Sequence, residues 1–388
     1  MGGHRAAVIG AGHTPFGVVP DGPRSLLRRA IDGAFASVDR GIERRQIDAA
    51  YLASLGFGGW QIGNSSAILA EEAGLPGLPS VRIENACASG GFALQVAVGA
   101  IASGSAHAAL VVGLEKMTDV SNARRRYWLG VSGETEWERQ AGLTFAGVYG
   151  LIASRYLALH GVGPDALAEV AVKNHANGAL NPNAHFRKPI TREAALASPR
   201  VADPLRLYDC CPVSDGAAAL LLVAPEAARR YTDTPVFVDG VGAASDYLAV
   251  QERPEPTRFD ATRRAGEAAL RSADCTRAQI SFLELHDCFT IAELLALEDL
   301  GFAAPGGAGP MTLAGETQRT GRLPVNPDGG LKAKGHPIGA TGVSQAAEVF
   351  LQLRGAAGAR QVAHAERALA HNVGGAGATA AVTIFSAG

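Results

Sequence analysis

Four short clusters hold the residues of this 388-residue chain that are best suited to nucleophilic and acid/base chemistry. The first is Asn85-Ala86-Cys87-Ala88-Ser89-Gly90-Gly91, lying between the apolar run VRIE and a long stretch of small apolar residues. A thiol placed where a strand turns into a helix N-terminus has its thiolate favoured, with pKa values of roughly 3.5 to 7.5 against about 8.5 when free. Small neighbours also let a carbonyl group approach backbone N–H donors. A buried, inert thiol is the commoner fate of a cysteine, but the strand-to-helix context argues for a nucleophile. The second cluster, Lys334-Gly335-His336-Pro337-Ile338-Gly339-Ala340-Thr341-Gly342, puts His336 at the opening of another apolar helix. The third, Glu284-Leu285-His286-Asp287-Cys288-Phe289, follows an apolar strand, where α/β proteins commonly place site residues. There His286 would polarise a carbonyl and Cys288 would shuttle a proton; the plainer reading is a core histidine beside an inert thiol. The fourth, His371-Asn372-Val373-Gly374-Gly375-Ala376-Gly377, is a glycine turn whose N–H groups can form an anion nest.

The elements that position these clusters repeat along the chain. RAAVIGAG near the start and PVFVDGVGAASD from Pro235 are both short strands ending in glycines, and a Gln-Ile pair precedes the next strand in each half (Gln46-Ile47, Gln279-Ile280). Small-residue helices at 85–104 and 335–355 follow, and glycine-alanine-rich strands at 214–225 and 374–385 close each half. Alternating strands and helices imply an α/β architecture with layered sheets and helices. If the two halves pack about a local twofold, the N-termini of the two buried helices meet and bring Cys87 to His336 as a nucleophile and its base. The halves are expected at 1–118, completed by about 205–230, and at 231–388. Residues 119–204 break the symmetry and read as an inserted loop domain. In it, Trp128, Trp137, Arg124, Arg125, Arg126, Arg187 and Lys188 suit a phosphate-bearing substrate, with an ordinary solvated face as the alternative.

Composition and negative signals exclude several classes. Lys+Arg 35 against Asp+Glu 37 gives a net charge of −2, so no electrostatic footprint for nucleic acid exists. The stretch between Glu84 and Glu115 has no charged residue, yet its Gly-Gly pair, Gln95 and Ser103-Gly104-Ser105 turn split it into a buried helix and a buried strand at 108–112 rather than a membrane span. The five cysteines contain no C-x-x-C pair, which fits a reducing, cytoplasmic setting. The N-terminal MGGHRAAVIGAG has neither a signal-peptide apolar region nor a myristoylation pattern. Gly10-Ala11-Gly12 is followed by Pro15 where a dinucleotide-binding loop needs its third glycine, and His160, His175 and His185 lack metal-ligand spacing. No metal and no cofactor are expected.

In order along the chain, NACASGG, HDCF, GHPIGATG and HNVGGAG together resemble the four motifs of the thiolase superfamily, most closely the sterol-carrier-protein type and its bacterial and archaeal relatives. The resemblance covers nearly the whole chain and implies a duplicated thiolase fold of five layers, α-β-α-β-α. It implies an acyl-CoA C-acyltransferase in which Cys87 takes the acyl group and His336 accepts its proton. Backbone N–H groups of Cys87 and Gly374 would hold the acyl oxygen, and His286 with His336 the enolate. Asn372 stands where common thiolases carry an acid/base cysteine, and Cys288 is the expected substitute. Expected partners are acyl-CoA substrates and a second copy of the chain, as a homodimer or tetramer paired through strand 108–112. The alternative reading is a non-catalytic or retro-aldolase-like subunit of a zinc-ribbon/OB-fold acyl-CoA-binding partner, or transfer to a non-CoA acceptor.

Overall fold

A computed structural model describes residues 4–388; the expectations on N-terminal targeting concern Met1, Gly2 and Gly3, which lie outside the described residues. The first half runs β1 (Ala6–His13), α1 (Pro23–Ala36), β2 (Ala49–Ala53), α2 (Ser65–Glu72), β3 (Ser80–Ile83), α3 (Ser89–Ala102) and β4 (Ala108–Glu115). An excursion follows: α4 (Asn122–Gly130), α5 (Phe145–His160), α6 (Pro164–Gly178), α7 (Arg192–Ala197), β5 (Arg200–Ala202) and β6 (Leu205–Arg206), returning as β7 (Gly216–Val223). The second half runs β8 (Val236–Ser245), α8 (Asp260–Ser272), β9 (Phe282–Glu284), α9 (Thr290–Asp299), α10 (Ala308–Leu313), α11 (Gly330–Ala333), α12 (Thr341–Leu353), β10 (Arg367–Gly374) and β11 (Thr379–Ala387).

The strands order as β3-β2-β4-β7-β1-β8-β11-β10-β9, the halves being joined by a short antiparallel β1–β8 contact between Ala6–Val8 and Val236–Val238. One core unites α3 and α12 with strands of both halves, including Val111, Leu220, Phe282 and Phe385. On the far face of the first half α1 and α2 bury a second core, and on the far face of the second half α8 and α9, with α5, α6 and α10, bury a third. The result is helix, sheet, helix, sheet, helix. β4 and β7 are buried at every position, which is why they read as unbroken apolar runs. The repeated Gln-Ile pairs have a structural reason. Gln46 and Gln279 each accept, at 2.8 Å, the N–H of the residue three before them and so close a 3₁₀ turn ahead of β2 and β9.

Two positional expectations are corrected. The strand at 108–112 continues to Glu115 and is no edge: it pairs with β2 on one side and β7 on the other. Its lack of charge reflects burial of both faces, a property that carries no information about lateral neighbours. The free edge of that half is β3, whose residues are mostly half-buried and whose Val81 is 55% exposed. The matching edge, β9, is covered by the Leu283–Val325 bridge. His336 precedes α12 by five residues instead of opening it, and Cys87 lies two before Ser89 at the start of α3.

The two central helices touch backbone to backbone. A Cβ added at Gly90 would stand 2.7 Å from the Gly342 nitrogen, and one at Gly342 would stand 2.3 Å from the Gly91 nitrogen. Neither neighbour is a flexible side chain, so no local adjustment relieves the overlap. Gly342→Ala and Gly90→Ala are therefore expected to lower stability by about 2 kcal/mol or more. Exposed Gly99 on α3 has open space at its Cβ position, so Gly99→Ala should raise stability by about 0.5–1 kcal/mol. Urea denaturation of the three variants checks the contrast.

Candidate active site

Cys87 sits on a turn rather than on a helix. Ala86 adopts φ +49°, Ser89 Oγ accepts the Asn85 N–H at 2.8 Å and donates to Ala86 O at 2.6 Å, and Ala88 N–H closes onto Asn85 O at 3.0 Å. This short knot presents Cys87 against Leu55, Met117 and Ile338. Cys87, His286 and His336 each offer a ligand atom, and these atoms lie within 4.8 Å of one another. The two imidazoles stand edge to face with centroids 5.1 Å apart.

Hydrogen bonding assigns the tautomer of His336. The Thr341 hydroxyl donates to Pro337 O at 2.9 Å, so its oxygen accepts from His336 Nδ1 at 2.7 Å. His336 Nε2 is then the unprotonated nitrogen, a base for the Cys87 thiol. Burial pulls the His336 pKa down to about 3. Burial, with Cys288 and Glu115 adding like charge, pushes the Cys87 thiol above its ordinary value, while the Gly375 backbone N–H favours the thiolate. The expected low-pKa thiolate is thus replaced by a neutral thiol beside a neutral imidazole. Cys87 lies outside the first helical turn and within an apolar cluster, and desolvation outweighs the helix N-terminus.

A cavity of about 320 Å³ rises over the thiol, lined by Cys87, His336, Cys288, Phe289, Arg126 and Arg139 among others. Its size is that of a small-ligand site. Cys288 lies four residues past the end of β9 and is buried, and burial pushes its thiol up to about 12. Tyr149 of α5 stacks on Phe289, the neighbour of Cys288, at 4.5 Å and donates its hydroxyl to Gly375 O at 3.4 Å. Gly374 ends β10 opposite Thr379, and the next residue, Gly375, begins the turn whose backbone N–H favours the Cys87 thiolate.

The remaining candidates divide. His371 turns the other way, because successive strand residues face opposite sides: its Nε2 meets Thr262 Oγ1 of α8 at 2.9 Å, while Asn372 faces α3 and His286. Arg124 is committed to the Gly58 and Gly59 carbonyls and stacks over Trp60. Trp128 packs against the same Leu55–Met117–Ile338 cluster as Cys87, whereas Trp137 is 72% exposed. Arg187 and Lys188 line a separate cavity of about 780 Å³ that shares only the 210–212 wall with the first. His175 and His185 line that second cavity too, apart from Cys87.

Sequence reasoning missed three supports of the site. Glu115, the charge that ends the apolar stretch, accepts N–H groups of Leu55 (2.9 Å), Phe57 (2.7 Å) and Gly339 (3.2 Å), and burial raises its pKa to about 7. Asp287 accepts Leu331 N–H at 2.6 Å and Asn174 Nδ2 at 2.7 Å, tying the HDCF segment to the segment that leads into His336. Tyr149, inside the excursion, had no local signal.

These features define a class first: a cysteine nucleophile with a neutral histidine base, at the meeting of two related α/β halves, which is the site of an acyl-transferring enzyme. Residues 6–226 match the family model "Thiolase, N-terminal domain" and residues 242–387 match "Thiolase C-terminal domain-like". The chain is 46% identical to the acetyl-CoA acetyltransferase of Methanothermobacter thermautotrophicus over 98% of this chain and 99% of that one. It is 32% identical to sterol carrier protein 2 of Gallus gallus over 99% of this chain and 72% of that protein. Among solved structures it resembles the Ltp2-ChsH2(DUF35) aldolase with a TM-score of 0.87 and 26% identity, over 98% of this chain and 97% of the other. The chain belongs to the thiolase family, and it is an acyltransferase.

With His336 held near pKa 3, acylation of Cys87 needs no deprotonation of an imidazolium at ordinary histidine values. The rate of Cys87 acylation should show no acid limb near pH 6.5. A limb near 7 that vanishes in Glu115→Gln would belong to Glu115, whereas one that survives there at about 6.5 would place His336 at an ordinary pKa. Stopped-flow acylation across pH is the measurement.

Proposed function

We propose that the chain makes or cleaves a carbon–carbon bond between acyl groups carried by coenzyme A, acetyl-CoA among them, through an acyl-Cys87 intermediate. The observation that carries this reading is the convergence of one thiol and two imidazoles within 4.8 Å, with Cys87 and His336 lining the cavity. In the synthetic direction Cys87 gives its proton to His336 Nε2 and its sulfur attacks the thioester carbonyl. The departing CoA thiolate takes the Cys288 proton. A second acyl-CoA then loses its α-proton to the Cys288 thiolate, and the enolate attacks the acyl-sulfur carbonyl. Cys87 leaves as a thiolate and recovers its proton from His336, so both thiols and the imidazole end as they began. The acyl oxygen lies with the N–H groups of Cys87 and Gly374, and the enolate oxygen with His336 and His286. Each such donor is worth about 2.7–4 kcal/mol in the transition state.

The centre works without a resident metal or cofactor in this reading, although one thiol and two imidazoles form a zinc-class donor set. Five free thiols support a reducing compartment, and no helix among the described residues is long and apolar enough to cross a membrane. Mixing with acetyl-CoA should add one acetyl mass to the chain, mapped to Cys87 and absent in Cys87→Ala, with and without prior dialysis against a chelator. Cys288→Ala should keep this adduct and lose about 10²–10⁴-fold in carbon–carbon bond turnover. An adduct mapped to Cys288 instead would reverse the assignment.

The proposed assembly is a homodimer, or a dimer of dimers, paired through β3. The uncovered edge and the exposure of Val81 support it, since an open apolar edge invites pairing with its own copy. Light scattering at micromolar concentration should give at least twice the 39.9 kDa chain mass, and Val81→Lys should shift it toward one. A monomeric, fully active wild type would refute this. A second protein partner is supported by the likeness to the Ltp2-ChsH2(DUF35) aldolase, whose name joins two components.

A further inference from the structure

Asn372 cannot exchange a proton, yet its carboxamide is placed with unusual care. It fills a slot that only glycines leave open: a Cβ at Gly91 would lie 3.0 Å from Asn372 Cβ, and one at Gly342 would lie 2.3 Å from its Oδ1. Oδ1 accepts the Gly91 backbone N–H at 2.9 Å. A backbone N–H can only donate, so this bond fixes which end of the amide is oxygen. Nδ2 must then face His286 Nδ1, 3.0 Å away, and an amide nitrogen can only donate.

The consequence falls on the far side of the ring. With Nδ1 accepting, the proton of neutral His286 resides on Nε2, and that atom is buried with no hydrogen-bond partner among the described residues. Burial and the neighbouring His336 and His371 hold His286 well below its ordinary pKa, so the ring is neutral and its tautomer is a definite property. His336, 5.1 Å away, carries the opposite tautomer because Thr341 accepts from its Nδ1.

We propose that Asn372 is a positioning residue that locks His286 in the Nε2–H form, so that a donor hydrogen faces the oxygen of the reacting thioester while the adjacent His336 faces Cys87 as a base. Asn372 touches no reacting atom; it acts through His286. No proton moves through it: as charge develops on the thioester oxygen during α-carbon deprotonation, the Nε2–H hydrogen bond strengthens and the proton stays on the ring. The functional consequence rests on the acyl-transfer reading above, while the tautomer assignment rests on hydrogen bonding alone.

Asn372→Asp is the decisive variant. It keeps an oxygen for the Gly91 N–H but offers His286 Nδ1 a second acceptor in place of a donor, which reverses the tautomer. Asn372→Leu, of similar size, supplies neither group and controls for a carboxyl that retains its proton. The readouts are ¹⁵N shifts of selectively labelled histidines, with the His286 signal assigned by its loss in His286→Ala, together with acyl-enzyme burst and steady-state turnover. In the wild type His286 should carry its proton on Nε2. In Asn372→Asp the signal should move to the Nδ1–H form, the burst should persist, and carbon–carbon turnover should fall by about 10²–10³-fold, as for loss of one oxyanion donor. In Asn372→Leu the signal should be a mixture of both forms. A wild-type His286 protonated on Nδ1, or an unchanged signal and unchanged turnover in both variants, would overturn the proposal. A wild type that forms no acyl-enzyme would refute acyl transfer instead, and its histidine signal would still decide the tautomer.

Discussion

The close crossing of α3 and α12 is the constraint on which the rest of the molecule depends. Glycines at 90 and 342 allow two helix backbones to approach until atoms of one would overlap any side chain on the other. That approach places the turn bearing Cys87 and the turn bearing His336 at one point, although the two residues are far apart in the chain. It also leaves the slot occupied by the Asn372 carboxamide, through which α3, β10 and the HDCF segment make one hydrogen-bonded unit. Polar side chains then tie each helix to its strands: Gln95 of α3 donates to Gly242 and Val382 carbonyls, and Gln345 of α12 to those of Glu284 and His371. A sheet on either side holds the pair rigid, since packed interiors transmit strain instead of absorbing it.

Around this centre the buried charges act as fasteners. Asp215 accepts the Met117 and Thr118 N–H groups and pairs with buried Lys116 at 2.7 Å, fixing the exit from β4 into the excursion. Lys173 of α6 pairs with Glu293 of α9 at 3.0 Å, and Asn174 beside it reaches both Glu293 and Asp287. Breaking such a buried pair from one side strands the other charge, at a cost of about 3–5 kcal/mol. The excursion is therefore bound to the second half beneath the HDCF segment. Its helix α5 adds Tyr149, which completes the surroundings of Cys288.

The chemistry that results is neutral at rest. Desolvation raises both thiols and lowers both histidines, so no ion pair of thiolate and imidazolium stores charge at the site. Polarity is supplied by direction: one imidazole offers a lone pair, the other a hydrogen, each set by a hydrogen bond on its far nitrogen. A low-dielectric pocket makes such fixed dipoles more effective than they would be in water, and they need no reorganisation as charge appears.

The residues themselves determined a good deal. Repeated strand-glycine openings, paired Gln-Ile turns and two small-residue helices announced a duplicated α/β fold, because each feature is a local requirement of backbone geometry or burial. The clusters around Cys87, His286, Cys288, His336 and Gly374 were legible because reactive side chains stood beside glycines and turns. Tertiary structure alone decided the rest. Residues 108–112 are uniformly apolar whether a strand lies inside a sheet or at its edge, so lateral neighbours are invisible along the chain. Whether Cys87 rests as thiol or thiolate depends on Leu55, Met117, Ile338 and Glu115, brought from elsewhere by folding. The roles of His371 and Asn372, adjacent in sequence, separate only once strand alternation turns one to α8 and the other to the site. Tautomers belong to the same category, since a proton's position on an imidazole is set by whichever donor or acceptor the fold places within about 3 Å.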